Sequence, residues 1–576
     1  MTYSERFKII KEEYADLIVN EINRQDILDS FPDSTISLEV SDFSIVHIPV
    51  DNMTYDSIDR FGFNSIPSCF GLLTEYGHDR ETKEKKERRQ APFRFNQGYT
   101  GKEVLIGFID TGIDYQNQVF RNKDGTSRII SIWDQTMVSS DKQKNIHYGV
   151  EYTNEQINLA LEAADPLSIV PSIDEIGHGT IMAGIAAGNE GFENEFAGVA
   201  TEASLAVVKL KPAKAYLKEF FAIPPEAICF QETDIIFAIY YLNKLANHLN
   251  KPLILCLGIG NSQSGYMGQR PIAVYLGALS NSHKRGVVVA AGNQGNRGSH
   301  YYGEITSGQT FHNVELSVGE DTYGFTMLFW GTAPNWFWID LYAPDGSYIF
   351  RIPYISGNSL LYTQGDMTII ADSRIKEIYS SEQYIALRFM HPIPGKWKFF
   401  VYGGTSDLPM SFHIWLPIHN FLSEGTAFKH PNNYTTIVSP GNNNNLICAS
   451  AYNPDDKLLY YYASRGNAVN NYPKPDITAP GVHSLSPFLN NTFLKATGTS
   501  VSAAYVAGVM ALLMEWSITG GNFPTMNTAL MKKIITQSAS RNPEEDYPNP
   551  DWGYGIVNLN DMGKVINSII HVQEYL

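Results

Sequence analysis

Three short motifs carry side chains that together could hydrolyse a peptide bond. Asp110-Thr111-Gly112 follows the apolar run VLIGFID (104–110), His178 sits in GHGT (177–180), and Ser500 sits in GTSVSAA (498–504). Acyl transfer needs a nucleophile, a base beside it and a buried carboxylate to orient the base. Serine, histidine and aspartate supply those groups, here in the chain order Asp, His, Ser. Each motif alone admits another reading. Asp110-Thr111-Gly112 also fits half of an aspartic protease site, but that chemistry shares a proton between two carboxylates, and no second Asp-Thr/Ser-Gly occurs. His178 could be structural or metal-binding, although no clustered His or Cys accompanies it. Ser500 could simply cap a helix.

The surrounding segments predict how these residues are held. Apolar, β-branched runs recur at VLIGFID, SLAVVKL (204–210), PLILCLG (252–258) and GVVVAAGN (286–293). Helical patterns lie between them. The clearest is 234–249, where Ile235, Ala238, Ile239, Leu242, Leu245 and Leu249 share one face. Apolar strands alternating with helices predict an α/β domain, a doubly wound parallel sheet covered on both faces. Ligands of such sheets bind beyond the carboxyl ends of the strands, where Asp110 and Asn293 fall. Gly177 and Gly179 allow close backbone approach around His178. Gly498 precedes Ser500 at the start of a small-residue helix, whose first N–H groups and dipole can face a developing oxyanion.

The segments FIDTGID, GHGT-x-MAGIAAG, VVVAAGN and GTSVSAAYVAGVMALL resemble those of the subtilase family, over about 100–300 and 445–560. The resemblance implies that Asp110 orients His178, that His178 is general base and acid, and that Ser500 is the nucleophile. It further implies that Asn293 donates its side-chain amide to the oxyanion. Leu257, Gly258 and Gly260 of LCLGIG, with Ala291 and Gly292, are the implied substrate-binding residues; ordinary core strand is the alternative for that run. Asn293 and Ser500 are 207 positions apart, far more than the compact family core uses. An insert there, together with TGIDYQNQVFRNKDGTSRIISIWDQT (111–136), YTNEQIN and KLKPAKAYLKEF, resembles the clostridial Csp germination proteases. That branch implies a prodomain that folds the enzyme and stays associated, autoprocessing, and a jelly-roll insert. For some members it implies a zymogen substrate, that of a spore cortex-lytic enzyme. Other relatives are catalytically silent.

Composition and texture set the domain expectations. With 576 residues, 43% apolar and 18% charged, the chain is long enough for several packed domains. A formal charge of −17 argues against nucleic acid or anionic lipid as a partner. Residues 1–75 read as a small α/β module, the prodomain, with a polar helix at about 4–24 ahead of the strand-like stretch STISLEVSDFSIVHIPVD. Residues 76–97, dense in charge, read as a linker with the maturation site, self-cleavage being expected within 75–97. The subtilase core reads as two stretches, 98–304 and 433–576, separated by an inserted antiparallel β-sandwich of jelly-roll type at 305–432. Five of the eight tryptophans fall in the insert (Trp330, Trp336, Trp338, Trp397, Trp415), among Pro-Asp-Gly and Pro-Gly turns. Those aromatics suit either a rigid core or a carbohydrate- or peptide-binding face.

Four scattered cysteines do not suggest a disulfide framework, and neither a required metal nor a cofactor is expected. No secretory signal is evident in MTYSERFKIIKEEYADLIV, and no apolar run reaches the ~18 residues of a membrane span. The expected partners are a protein substrate and the chain's own prodomain. The resemblance places the protein with the spore, and release by another route is the alternative. The competing functional readings are a silent signalling or scaffold protein that keeps the fold without turnover, and a clostridial protease unrelated to germination.

Overall fold

The computed structural model describes residues 3–40, 42–80, 98–138, 146–189, 196–263, 268–354, 359–374, 382–404, 410–467 and 472–573. The first strands are β1 (Tyr14–Asn20), β2 (Thr35–Val40) and β3 (Phe43–Pro49), an antiparallel sheet in the order β1-β3-β2. The stretch 4–24 is therefore not one polar helix but the helix Tyr3–Ile10, β1, and the helix Glu21–Ser30. The physical reason lies in Ala15, Asp16, Leu17, Ile18 and Val19, all buried. With side chains covered on both faces of the strand, the run carries no amphipathic helical stripe.

The chain then continues as β4 (Cys69–Leu72) and β5 (Glu75–Arg80). It next enters the central domain through β6 (Leu105–Asp110), β7 (Ile129–Asp134), β8 (Val150–Thr153), β9 (Ser204–Lys209), β10 (Phe230–Gln231), β11 (Leu253–Leu257), β12 (Ile259–Gly260) and β13 (Arg285–Ala290). The insert follows as β14 (His300–Ile305), β15 (His312–Val318), β16 (Gly324–Gly331), β17 (Phe337–Tyr342), β18 (Tyr348–Ile352), β19 (Leu360–Gln364), β20 (Met367–Arg374), β21 (Gln383–Met390), β22 (Gly395–Gly403), β23 (Met410–Trp415) and β24 (Ala427–Phe428). The central domain is completed by β25 (Ile447–Tyr452), β26 (Ile477–Pro480), β27 (Ser484–Phe488) and β28 (Thr492–Thr497).

Eight of these strands make the main sheet, in the order β26-β25-β13-β11-β6-β9-β7-β8. Its neighbours are parallel except β7 and β8. Successive residues of β6 face opposite apolar clusters. Ile106 and Phe108 pack in the cluster of the helix Thr499–Met514, while Leu105 and Ile109 pack with Ile235 and Leu242 of the helix Glu232–His248. This is the doubly wound α/β architecture, and the carboxyl ends of β6, β11 and β13 meet along one edge. The helix from Thr499 is long and apolar enough to cross a membrane by composition, but 89% of its apolar window is buried within the protein.

The insert strands form two antiparallel sheets, β14-β23-β16-β21-β20-β19 and β18-β17-β22-β15-β24. A shared core including Phe329, Phe389, Trp397, Phe399 and Phe412 joins the sheets. The strands begin at His300, ahead of residue 305. Trp397 is core, whereas Trp336 is 51% exposed and stacks on Tyr354.

The N-terminal module is clamped from two sides. On the insert side, Asp59 pairs with Arg374, the Arg388 guanidinium donates to the Tyr55 carbonyl, and Phe63 packs on Tyr384. On the central domain side, fully buried Asp16 accepts hydrogen bonds from Lys214 Nζ (2.8 Å), Gln231 Nε2 (2.5 Å) and Thr233 Oγ1 (3.0 Å). His47 Nδ1 lies 2.7 Å from the same carboxylate. Burial alone would push the Asp16 carboxyl up, but the Lys214 ammonium and His47 outweigh it and hold it well below the usual carboxylate range.

Candidate active site

Asp110 ends β6, and His178 opens the helix His178–Ala187; both are buried. His178 Nδ1 lies 2.6 Å from Asp110 Oδ1. An ionised carboxylate can only accept, so Nδ1 carries the proton and Nε2 presents its lone pair. Asp110 Oδ1 also accepts the Thr111 N–H at 2.8 Å. The residue that fixes this geometry is Asp174, which belongs to none of the motifs. Its Oδ1 accepts from the Thr111 hydroxyl (2.8 Å) and the Gly177 N–H (2.8 Å), and its Oδ2 from the Thr180 N–H (3.0 Å) and hydroxyl (2.8 Å). One buried carboxylate thereby ties the turn after β6 to the first turn of the histidine helix. The only signal for it is an acidic residue just ahead of a helix start, in IDEIGHGT.

Ser500 lies in the first turn of the helix Thr499–Met514, where backbone N–H groups lack intrahelical acceptors. Ser500 and His178 flank the same α-carbon: a methyl group placed on Gly258 would lie 2.9 Å from His178 Cε1 and 3.0 Å from Ser500 Cβ. Asn293 is held by its oxygen, which accepts from the Thr499 N–H (3.1 Å) and hydroxyl (2.9 Å). Its Nδ2 must then face the other way, and it donates to the carbonyl of Leu73 at 2.8 Å.

That carbonyl belongs to the segment lying in the cleft. β4 pairs antiparallel with β12 on one side (Leu72 opposite Ile259, Gly71 opposite Gly260) and with β10 on the other. The Leu73 N–H donates to the Gly258 carbonyl at 3.2 Å. Beyond Thr74, β5 pairs antiparallel with β28, which leads directly into the Ser500 helix. Between the two paired stretches, the Ser500 hydroxyl donates to the Leu73 carbonyl at 2.9 Å and lies against the Thr74 hydroxyl. His178 Nε2 is buried and has no hydrogen-bond partner among the described residues. A methyl group on Gly498 would strike the Leu73 oxygen, so glycine is required for this approach.

A methyl group on Gly260 would lie 2.9 Å from Leu73 Cδ1 and against Val438, and Gly292 packs on the same Val438 side chain. Leu257 sits in the apolar cluster with Phe70 and Leu72, and Ala291 bonds the Val438 and Ala449 backbones. The insert also reaches this strand. Asn420 donates to the Leu72 carbonyl at 3.1 Å, and Ile418 and Phe421 cover Gly71. Val438, Asn420 and Leu73 itself are invisible in the sequence, because nothing local to them marks their role. The carbonyl at Ser500 lies upstream of the 75–97 stretch expected to hold the cut, and residues 81–97 lie outside the described residues. All four cysteines are buried free thiols, and among the described residues no cluster of His, Cys, Asp or Glu could hold a metal ion.

Known proteins share this architecture. The sequence pattern of the Subtilase family matches residues 101–368 and 423–555. The CspB protease of Clostridium perfringens, a solved structure, superposes with a TM-score of 0.73 at 29% identity, covering 82% of this chain and 95% of that one. The C5a peptidase of Streptococcus pyogenes is 39% identical over 92 residues, 15% of this chain and 8% of that protein. The serine protease AprX of Bacillus subtilis is 28% identical over 143 residues, 21% of this chain and 30% of that protein. The matches to these two relatives thus span only a minor share of each.

Proposed function

Since this chain belongs to the subtilase family, we propose that it is a serine-type protease, that Asp110, His178 and Ser500 are its catalytic triad and that its first substrate is its own Leu73–Thr74 bond. The observation that carries this reading is the Leu73 carbonyl. It lies between the Asn293 amide and the Ser500 hydroxyl, in a segment paired like a substrate on both sides of that point.

In the proposed sequence of steps the Ser500 hydroxyl turns from the Leu73 oxygen to His178 Nε2, whose lone pair takes its proton as Oγ attacks the Leu73 carbonyl carbon. The charge that develops on the Leu73 oxygen is met by Asn293 Nδ2 and the Ser500 N–H at the helix start. Asp110 stabilises the imidazolium through Nδ1–H. Collapse of the adduct breaks the bond to the Thr74 nitrogen, which receives the proton from His178. Water, activated by the same histidine, then releases Leu73 from Ser500 as a carboxylate. Residues 1–73 remain docked through the buried Asp16 cluster and act as chaperone and inhibitor. The likeness to the clostridial Csp branch extends the proposal to a protein substrate in trans, the zymogen of a spore cortex-lytic enzyme.

N-terminal sequencing of the chain made in a protease-free translation system tests self-cleavage. The expected new terminus is Thr-Glu-Tyr-Gly, and Ser500→Ala should stay intact; a processed Ser500→Ala chain defeats self-maturation. A second reading, a silent scaffold, draws on the Ser500 hydroxyl being bonded away from His178. Covalent labelling by a fluorophosphonate separates the two, since only an activated serine reacts.

A further inference from the structure

Beyond the cut, the strand offers one charged side chain to a charged group of the central domain. Glu75 is the second residue after the Leu73–Thr74 bond, and its carboxylate pairs with the Arg297 guanidinium. Arg297 stands four residues after Asn293, in the same loop, and it is held independently of Glu75. The Gly295 N–H donates to the Tyr462 carbonyl (3.1 Å), the Gln294 N–H to the Ser464 hydroxyl (3.0 Å), and Asn296 Nδ2 to the Tyr461 carbonyl (2.7 Å). These bonds fasten the loop to residues 461–464. The guanidinium carbon then lies 3.4 Å from the centre of the Tyr462 ring, which holds the fork against an aromatic face.

The Arg297 side chain is 19% exposed and the Glu75 side chain 38% exposed, so the pair is only partly hydrated. His419 and Tyr460 are further ionisable neighbours: burial followed by the Arg297 charge lowers His419 to about 4, burial followed by the Glu75 charge pushes the Tyr460 hydroxyl up, and both are neutral near pH 7. Among the described residues, Glu75 is the sole carboxylate in an ion pair with Arg297. The arginine lies in the central domain, and the glutamate lies on the strand whose end the cut would free. After cleavage Glu75 is the second residue of the new terminus, and Arg297 is open to another carboxylate wherever that end swings out of the cleft.

We infer that Arg297 is a specificity-determining residue that selects an acidic side chain at the second position after the scissile bond. This rests on the protease reading above and names what that site prefers. A neutral residue there forfeits a charge-assisted hydrogen bond, and a lysine adds like-charge repulsion. Together these correspond to a preference of about 10- to 100-fold.

The test uses self-cleavage of the full chain, timed by pulse-chase in protease-free translation. Glu75→Gln should slow processing and Glu75→Lys should slow it further, by about 10-fold or more. Adding Arg297→Glu to Glu75→Lys should restore the rate to within about threefold of wild type. Equal rates for wild type, Glu75→Gln and Glu75→Lys overturn the inference and leave the protease reading intact. Failure of the charge swap to recover, with both single variants slow, assigns the pair a merely structural role and also overturns it. A wild-type chain that never cuts at Leu73–Thr74 removes both readings. The two Glu75 variants alter only the strand, so the comparison stands even where Arg297→Glu does not fold.

Discussion

Replacing Asp16 by alanine should loosen the N-terminal module without unfolding the central sheet. The side chain is fully buried and takes hydrogen bonds from Lys214, Gln231 and Thr233, with His47 against the same carboxylate. Its removal leaves an ammonium, itself 1% exposed, without a counter-charge. Breaking a buried pair in this way costs about 3–5 kcal/mol. Lys214 Nζ keeps the carbonyls of Tyr14 (2.8 Å) and Lys8 (3.2 Å), which places the expected cost at the lower end. At ~1.4 kcal/mol per decade, the opening equilibrium of the module rises about 10²-fold.

The assay is amide hydrogen exchange on a Ser500→Ala background, which removes the proposed self-cleavage. Amides of β1 and β3 should exchange about 10²-fold faster in Asp16→Ala, while those of β11 and β13 keep their protection. A change below about threefold, or an equal change in both regions, refutes the reasoning. The pH dependence has a definite sign as well. The folded-state pKa of Asp16 is depressed, so its contribution is present at and above the ordinary carboxylate range and is lost only as pH falls well below that range. Acidification to about pH 5 should leave the module docked.

Asn293→Ala should retain the fold and lower kcat by about 10²- to 10³-fold with little change in KM, measured on self-cleavage and on peptide hydrolysis. In the insert, His300 Nδ1–H donates to the Asn432 carbonyl; burial lowers both His300 and His413, so both rings are neutral near pH 7 and His300 Nε2 then accepts from His413 Nδ1–H at 2.8 Å. Burial lowers His300 to about 4, whereas the unfolded chain takes up its proton near pH ~6.5. Stability of the sandwich is therefore present above pH ~6.5 and is lost as pH falls from there towards about 4, by about 3 kcal/mol for this group. Tryptophan-monitored melting between about pH 7 and 4.5 should show the loss, and His300→Gln should reduce it, with His413 supplying a remainder of the same sign; an unchanged slope in that variant refutes the assignment.

The regions of the molecule that were legible in sequence are those whose signal is local. Strands β6, β9, β11 and β13 announce themselves as uninterrupted apolar runs because both of their faces are buried. Asp110, His178, Asn293 and Ser500 sit in short motifs at element ends, so their types and neighbours were readable. What stayed hidden depends on pairs distant in the chain. Strand β1 reads as helix in isolation because its meaning lies in β3 and in Lys214, about 200 positions away. Leu73 looks like the end of a small module, since its partners Gly258, Asn293 and Ser500 come from three other segments. Asp174 carries no motif, and its role exists only where two turns meet. The insert was visible as a change of texture, but its Asn420 turn over the cleft follows from docking that no periodicity encodes.

That turn changes how a chain can reach the site. Residues 69–72 run between β10 and β12 with Asn420 and Phe421 resting on them, and residues 75–80 lie beside β28. A polypeptide occupying the same path must surrender about a dozen residues of its own secondary structure and slide in lengthwise, small at the place of Gly71. Tightly folded proteins offer no such ribbon. Slack connecting segments do, so on the proposed reading the roof contributed by the insert would work as a gauge of how loose a target is before any side chain is read.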